Sequence, residues 1–310
     1  MRQKKEISIV IPVFNSQDSI EELVTRLENT INNMKVEYEI IFVDDSSKDN
    51  SWNILKTIQK KYPHVSIIRL AKNYGQHNTT MCGFKEAIGA TIITLDDDLE
   101  HRPEDIPKLY ADFKSKNYDI LYAFPKARKK SFQRNLFGFL WYKGSQTLNK
   151  GVGRASSYRI LNKNTVECLI QHQEPFMFIE SIIDWYTEHI GYKEVDFEKR
   201  KHGKSNYSIL ELFSLNNDIG MHYDTHILKF MKNFGVIVFF GSMLLIVYYI
   251  FKKIFGSPIP GYTSLIIVSL FSSGSILWGM GYLGIYIGKM FRILNKEPQY
   301  QIAEKLDHRE

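Results

Sequence analysis

The sequence predicts an α/β domain on a mostly parallel, doubly wound sheet, followed by amphipathic juxtamembrane helices and a membrane-spanning helical hairpin. Three observations lead there. Strand-like and helix-like stretches alternate from Ile7 to Phe124, as in a parallel sheet with crossover helices. Acids follow two of the strands, at Asp44-Asp45 and Asp96-Asp97-Asp98, the edge at which open sheets bind ligands. Two long charge-free stretches, Asn233 to Phe251 and a second ending at Gly288, each have the length to cross a bilayer as a helix.

The elements follow in order. Ile7 to Val13 is an apolar first strand, and Phe14-Asn15-Ser16 turns the chain. From Asp18 to Met34, Ile20, Leu23, Val24, Leu27 and Ile31 share one face of a helix. Tyr38 to Val43 is the second strand, Ser51 to Lys61 a helix, Val65 to Leu70 the third strand and Asn78 to Ile88 a helix. The β-branched run Thr91 to Leu95 makes the fourth strand and Asp119 to Phe124 the fifth. The basic stretch after it, with Lys126, Arg128, Lys129, Lys130 and Arg134, is either a solvated face or an anion clamp; its place at a strand end favours the clamp.

Tyr207 to Met231 interleaves apolar and polar residues, as interfacial helices do. The expected spans are 233–251 and 264–288, separated by Lys252, Lys253 and the turn Gly256 to Gly261. Lys229, Lys232, Lys289, Arg292 and Lys296 flank the ends placed in the cytoplasm. Gly274, Gly279, Gly281, Gly284 and Gly288 allow close helix packing, within the hairpin or between chains of a homo-oligomer. The expected divisions are an α/β domain over 1–205, juxtamembrane helices over 206–232, the two spans, and a cytoplasmic tail over 291–310.

Composition narrows the function. A net charge of +6 over 310 residues suits polyanions or an anionic membrane face. Nucleic acid is disfavoured, because no helix-turn-helix, zinc-finger or RNP pattern occurs. Cys82 and Cys168 form no CxxC and imply neither a disulfide framework nor a zinc site. The first apolar run is short and ends at Pro12, so it reads as a strand rather than a signal peptide, with the N-terminal domain in the cytoplasm.

Three adjacent carboxylates at 96–98 repel one another unless a cation compensates them, and a hard divalent ion suits oxygen ligands. Mg²⁺ or Mn²⁺ on one or two carboxylates usually shares its remaining positions with substrate phosphates. The alternative is an acidic helix start, since Glu100 and Pro103-Glu104-Asp105 follow. Both readings stand on the triplet alone.

Four motifs occur in order: Ser8-Ile9-Val10-Ile11-Pro12-Val13-Phe14-Asn15, Val43-Asp44-Asp45-Ser46-Ser47-Lys48-Asp49, Leu95-Asp96-Asp97-Asp98-Leu99-Glu100, and Arg200-Lys201-His202-Gly203-Lys204-Ser205-Asn206-Tyr207. Together they resemble the family 2 glycosyltransferases with a GT-A fold, in the branch of dolichol-phosphate mannose synthase and the bacterial polyprenyl-phosphate glycosyltransferases. The resemblance covers roughly the whole chain. It implies a nucleotide-sugar pocket lined by Pro12 and Asn15, with Asp45 and neighbouring Asp44 at the base or ribose. Asp96 and Asp98 match the outer positions of the D-x-D motif, which holds a divalent metal, Mg²⁺ or Mn²⁺, on the sugar-nucleotide diphosphate. Arg200, Gly203, Ser205 and Tyr207 match R-x-x-G-x-S-x-Y, near the acceptor.

The chain also departs from the pattern. Asp97 replaces a small residue, and Glu100 stands where Gln is common. Pro125-Lys126 replaces the Arg that often follows the fifth strand, leaving Arg128 and Arg134 as the phosphate grips. Ser157 stands where many relatives carry an Asp.

The resemblance implies an inverting transfer, one in-line displacement at the anomeric carbon of a nucleotide sugar, a UDP-sugar by default. A polyprenyl (undecaprenyl) phosphate acceptor is already anionic, so a cationic cradle of Lys126, Arg128, Arg134 and Arg200 replaces a general base. A sugar hydroxyl on a lipid-linked glycan would require a base, for which Glu180 and Asp184 are candidates at i, i+4 spacing. A membrane-anchored scaffold that binds the nucleotide sugar without turnover is the rival from another class. The expected setting is the cytoplasmic face of the cell membrane, with a multi-pass anchor, in cell-envelope glycan synthesis or modification.

Overall fold

The computed structural model describes residues 5–126, 156–175, 178–198 and 262–307, with the helical positions 234, 237, 241, 244, 248 and 251. Two compact units divide the chain: Met1–Lys204 together with Pro298–Glu310, and Ser205–Glu297.

In the first unit, strands β1 (Ile7–Val13), β2 (Tyr38–Asp44), β3 (Val65–Leu70), β4 (Thr91–Thr94), β5 (Ile120–Pro125), β6 (Arg159–Asn162), β7 (Ile190–Val195) and β8 (Ile302–Leu306) form one sheet. Its order is β7-β5-β6-β4-β1-β2-β3-β8. β1 runs parallel to β2 and β4, β2 to β3, and β5 to β7. β6 is antiparallel to β4 and β5, and β8 to β3. The sheet is therefore mostly parallel, as the alternating pattern predicts. Every residue of β1, β2 and β4 is buried, which is why apolar residues dominate those strands on both faces.

Helices α1 (Ile20–Asn32), α2 (Ser51–Lys61), α3 (Gln76–Glu86) and α4 (Ile106–Lys116) connect the parallel strands. α1 buries Ile20, Leu23, Val24, Leu27 and Ile31, the face the periodicity identifies. α3 lies so close to the sheet that a Cβ on Gly83 would stand 2.2 Å from Val10 Cγ1, so only glycine fits there. A 3₁₀ turn at Pro103–Asp105 opens α4, and Asn117 in the left-handed region closes it. Helices α5 (Lys163–Leu169) and α6 (Ile179–Tyr186) follow β6, and the Asn162 side chain caps α5 by accepting from Thr165 N–H at 2.7 Å.

Pro12 sits in a central strand, where a missing N–H would normally break a ladder. Val13 accepts from Asp45 N–H on the β2 side, so the backbone groups of Pro12 face β4. The β1–β4 pairing has already ended at Val10 and Thr94, and no donor is needed there.

β8 differs from expectation. The stretch 291–310 reads as a tail in the sequence, yet residues 302–306 form an edge strand of the sheet. Trp52 Nε1 donates to Glu304 at 3.1 Å, Lys56 pairs with Glu304 at 2.8 Å, and Ser66 donates to Asp307 at 3.0 Å. A short charged strand is a sensible edge, and its partner rather than its own sequence specifies it.

In the second unit, α7 (Tyr262–Leu294) is a 33-residue helix. Leu265, Phe271, Ile276, Met280, Ile287 and Phe291 on it are exposed, as are Ile237, Leu244 and Phe251 earlier in the unit. Among the described residues, no helix is long and apolar enough to cross a membrane. The expected hairpin therefore finds no crossing helix there; its second span falls within α7, and most of its first span lies outside the described residues. The juxtamembrane stretch 206–232 also lies outside them.

Candidate active site

In this sheet the strand order reverses direction of growth between β1 and β4, and the crevice at their carboxyl ends is the expected ligand site. Three non-glycine residues adopt left-handed backbone at these strand ends: Asn15 (φ 53) after β1, Ser46 (φ 60) after β2 and Leu99 (φ 63) after β4. Such residues cost energy and cluster where geometry matters for function.

The half-buried Asp triplet is divided by its partners. Asp96 Oδ1 accepts from Gln76 Nε2 at 2.6 Å, and Oδ2 accepts from Ser157 Oγ at 2.6 Å. Its N–H donates to His101 Nδ1 at 3.0 Å, which leaves that ring nitrogen without a proton. His101 is buried and stacked on Tyr158. Asp97 turns away from this group. Its Oδ2 accepts from Phe14 N–H at 3.0 Å and from the Ser16 hydroxyl, tying the fourth strand's loop to the first's. Desolvation pushes the Asp97 carboxyl up to about 7, against the two hydrogen bonds that favour its charged form. Asp98 Oδ1 accepts from Glu100 N–H at 3.0 Å, a contact within the turn after β4; the helix that follows starts at Pro103 with no side-chain cap, so the triplet does not cap it.

The loops after β1 and β2 are stitched together. Asn15 N–H donates to Ser47 Oγ at 2.9 Å, and Lys48 N–H donates to Asn15 Oδ1 at 2.8 Å. Asp44 is fully buried. Its Oδ1 accepts from Ser47 N–H at 3.1 Å, and Oδ2 lies 3.3 Å from Arg69 Nε. The two Asp45 oxygens accept from Tyr74 N–H at 2.7 Å and Gly75 N–H at 2.9 Å. Gly75 has φ 84, which glycine alone adopts freely and which turns its N–H toward Asp45. Burial raises the pKa of both acids; the Ser47 hydrogen bonds to Asp44 and the two backbone donors to Asp45 oppose it.

A cavity of about 220 Å³ opens beside Asp96, with Pro12, Gln76, His77, Ser157, Arg159 and Glu180 among its lining residues. Arg159 Nη1 donates to Glu180 Oε1 at 2.7 Å, and both residues are buried. Burial alone would raise the Glu180 carboxyl, but Arg159 and then His77 outweigh it and hold it below the usual range. Burial keeps His77 below the ordinary histidine value.

The structure thus brings Pro12, Asp96 and Glu180 to one cavity. Asn15, Asp44, Asp45 and Asp98 stand at the ends of neighbouring strands. Asp184 is exposed on α6 and does not line the cavity, and Lys126 is exposed at the end of β5, 3.2 Å from Asp196. Arg128, Arg134, Arg200, Ser205 and Tyr207 lie outside the described residues. Sequence reasoning missed Gln76, His77 and Arg159 as site residues. The polar run Gly75-Gln76-His77-Asn78 opening a helix was the available signal.

Among the described residues, no group of three or more His, Cys, Asp or Glu is arranged to hold a metal alone. Two carboxylates at a strand end still fit Mg²⁺ or Mn²⁺, which completes its shell with water and substrate phosphate. They do not fit a structural zinc, which needs four nitrogen or sulfur ligands.

A sequence model of the family described as "Glycosyl transferase family 2" matches residues 8–167. The undecaprenyl-phosphate 4-deoxy-4-formamido-L-arabinose transferase of Proteus mirabilis is 31% identical over 308 residues, covering 96% of this chain and 93% of its own. Among solved structures, glucosyl-3-phosphoglycerate synthase from Mycobacterium tuberculosis, in complex with Mn²⁺, UDP-glucose and phosphoglyceric acid, superposes with a TM-score of 0.52. The identity is 13%, over 72% of this chain and 79% of that one. At this identity the likeness concerns the fold.

Proposed function

The chain belongs to glycosyl transferase family 2, and from that premise we propose that it moves a sugar from a UDP-sugar to undecaprenyl phosphate at a membrane face. The observation that carries the acceptor is the near full-length match to a transferase whose name specifies undecaprenyl phosphate. The crevice at the ends of β1 and β4, with its acids beside a cavity of one-ring size, supports the donor side of this reading.

The reaction is a single displacement. An anionic oxygen of the lipid phosphate forms the new bond to the anomeric carbon, and the bond from that carbon to the nucleotide diphosphate breaks, its electron pair leaving with the diphosphate. No proton has to move, so no general base is required. Glu180 is a weak base in any case, because Arg159 and His77 lower its affinity for a proton. This weighs against a sugar hydroxyl as acceptor.

Asp96 and Asp98 would hold a divalent metal, which when bound supplies neutralising charge for the diphosphate leaving group. Gln76 and Ser157 orient the Asp96 carboxylate through both of its oxygens. Lys126, Arg128, Arg134, Arg200, Ser205 and Tyr207 are the proposed acceptor side. The exposed apolar residues of α7 support membrane association of the second unit.

The test is transfer by the purified protein in detergent, with radiolabelled UDP-, GDP- and dTDP-sugars, Mg²⁺ or Mn²⁺, and either undecaprenyl phosphate or a lipid-linked oligosaccharide. The expected result is metal-dependent labelling of undecaprenyl phosphate from a UDP-sugar, abolished by Asp98→Ala. Labelling of the oligosaccharide alone would overturn the acceptor. Inactivity with every donor would favour a nucleotide-sugar-binding scaffold.

A further inference from the structure

Resting on that reading, we infer that the Glu180 carboxylate reads the sugar being transferred, its Oε2 accepting a hydrogen bond from a ring hydroxyl or amide N–H. Glu180 is 9% exposed, and Oε1 is taken by Arg159. Oε2 is buried and has no hydrogen-bond partner among the described residues. His77 Nδ1 stands 3.7 Å from it, beyond hydrogen-bonding range. A buried carboxylate oxygen without a donor is costly, and Glu180 is among the residues lining the cavity beside Asp96, from which a ligand can supply that donor.

Charge decides what the cavity accepts. Arg159 pairs its charge with Glu180 while its Nε has no hydrogen-bond partner among the described residues, burial lowers the His77 pKa, and Asp96 adds a second carboxylate to the wall. Apart from the metal proposed on Asp96, the arginine in the lining is already paired with a carboxylate, so the space suits an uncharged polyol better than a uronic acid. Size agrees. At about 220 Å³ the cavity is smaller than the roughly 300–1,000 Å³ of pockets that enclose a drug-sized ligand, and one sugar ring is the natural occupant. Phe178 in the lining gives the ring's C–H groups an apolar surface.

Arg159 and His77 act through Glu180 and are positioning residues. Arg159 fixes the carboxylate from the strand side, at the register position opposite Thr94 of β4. His77 packs edge-on against Phe178, with ring centroids 4.6 Å apart, and closes the other side.

The test is calorimetric binding of UDP, UDP-glucose, UDP-N-acetylglucosamine and UDP-glucuronate to the full-length protein in detergent with Mn²⁺, comparing wild type with Glu180→Gln and Glu180→Asp. UDP is expected to bind all three proteins equally, which also reports that the variants are folded. At least one of the two neutral sugar nucleotides should bind wild type more tightly than UDP, and lose about tenfold in both variants. UDP-glucuronate should gain nothing over UDP. Unchanged affinity for neutral sugar nucleotides in both variants, or an equal loss for UDP itself, would overturn the inference. Failure of UDP to bind wild type would instead overturn the nucleotide-sugar reading on which it rests.

Discussion

The three adjacent acids at 96–98 carry the same charge but have three different surroundings. Asp96 is gripped at both oxygens by Gln76 and Ser157, Asp98 receives the Glu100 N–H, and Asp97 faces the loop after β1. Asp97 therefore acts as a strut between two loops. Asp97→Ala leaves the Phe14 N–H and the Ser16 hydroxyl without their acceptor, and is expected to destabilise the fold by about 1–3 kcal/mol. Asp97→Asn keeps an acceptor oxygen and should lose much less; urea midpoints of the two variants check this. That the triplet matters was legible from its place after a β-branched run. How its roles divide was not, because the dividing partners come from Phe14, Ser16, Gln76 and Ser157, far away in sequence. Ser157 is instructive: as a hydroxyl it donates to Asp96, which an ionised aspartate at that position could not do.

Elements were readable in proportion to the burial they carry alone. β1, α2 and β3 match the sequence reading to the residue, since their apolar runs or stripes are complete within one segment. α1 is two residues shorter at each end than its pattern suggests, and α3 begins at Gln76, two residues earlier, because end geometry and not periodicity sets a terminus. β6 and β8 have four and five residues and mix polar with apolar, so their ladder partners define them. The β8 ladder is testable as a unit. Deleting residues 298–310 would expose the edge of β3 and strip Trp52, Lys56 and Ser66 of their partners. The melting temperature is expected to fall by several degrees, roughly 2–4 °C per kcal/mol lost, with aggregation on heating.

At the scale of the whole molecule, the first unit is fastened by charges far apart in the chain. Arg26 on α1 reaches Glu104 at 2.6 Å and Glu198 at 2.8 Å. The Arg26 hydrogen bond, against some burial, holds Glu104 below the usual carboxylate range. A carboxylate whose folded pKa is depressed contributes stability that is complete above its unfolded pKa, about 4.3, and is lost as pH falls through the lower folded value. Stability should therefore drop in that acid window, and Arg26→Gln should flatten the drop; denaturation midpoints at a series of pH values measure it. High salt should act in the same direction as the substitution, because these groups are only partly shielded from solvent.

The antiparallel seam between β3 and β8 also sets a clock. Leu70 and Ile302 pair across more than 230 residues of chain. At synthesis rates of about 5–20 residues per second, β3 can be made some 12–46 s before its outer partner exists. Through that interval the sheet has an open edge next to Trp52 and Arg69. The residues of 205–297 must be synthesised before the edge can be sealed. Completion of the sheet thus waits on the synthesis of everything between the two strands.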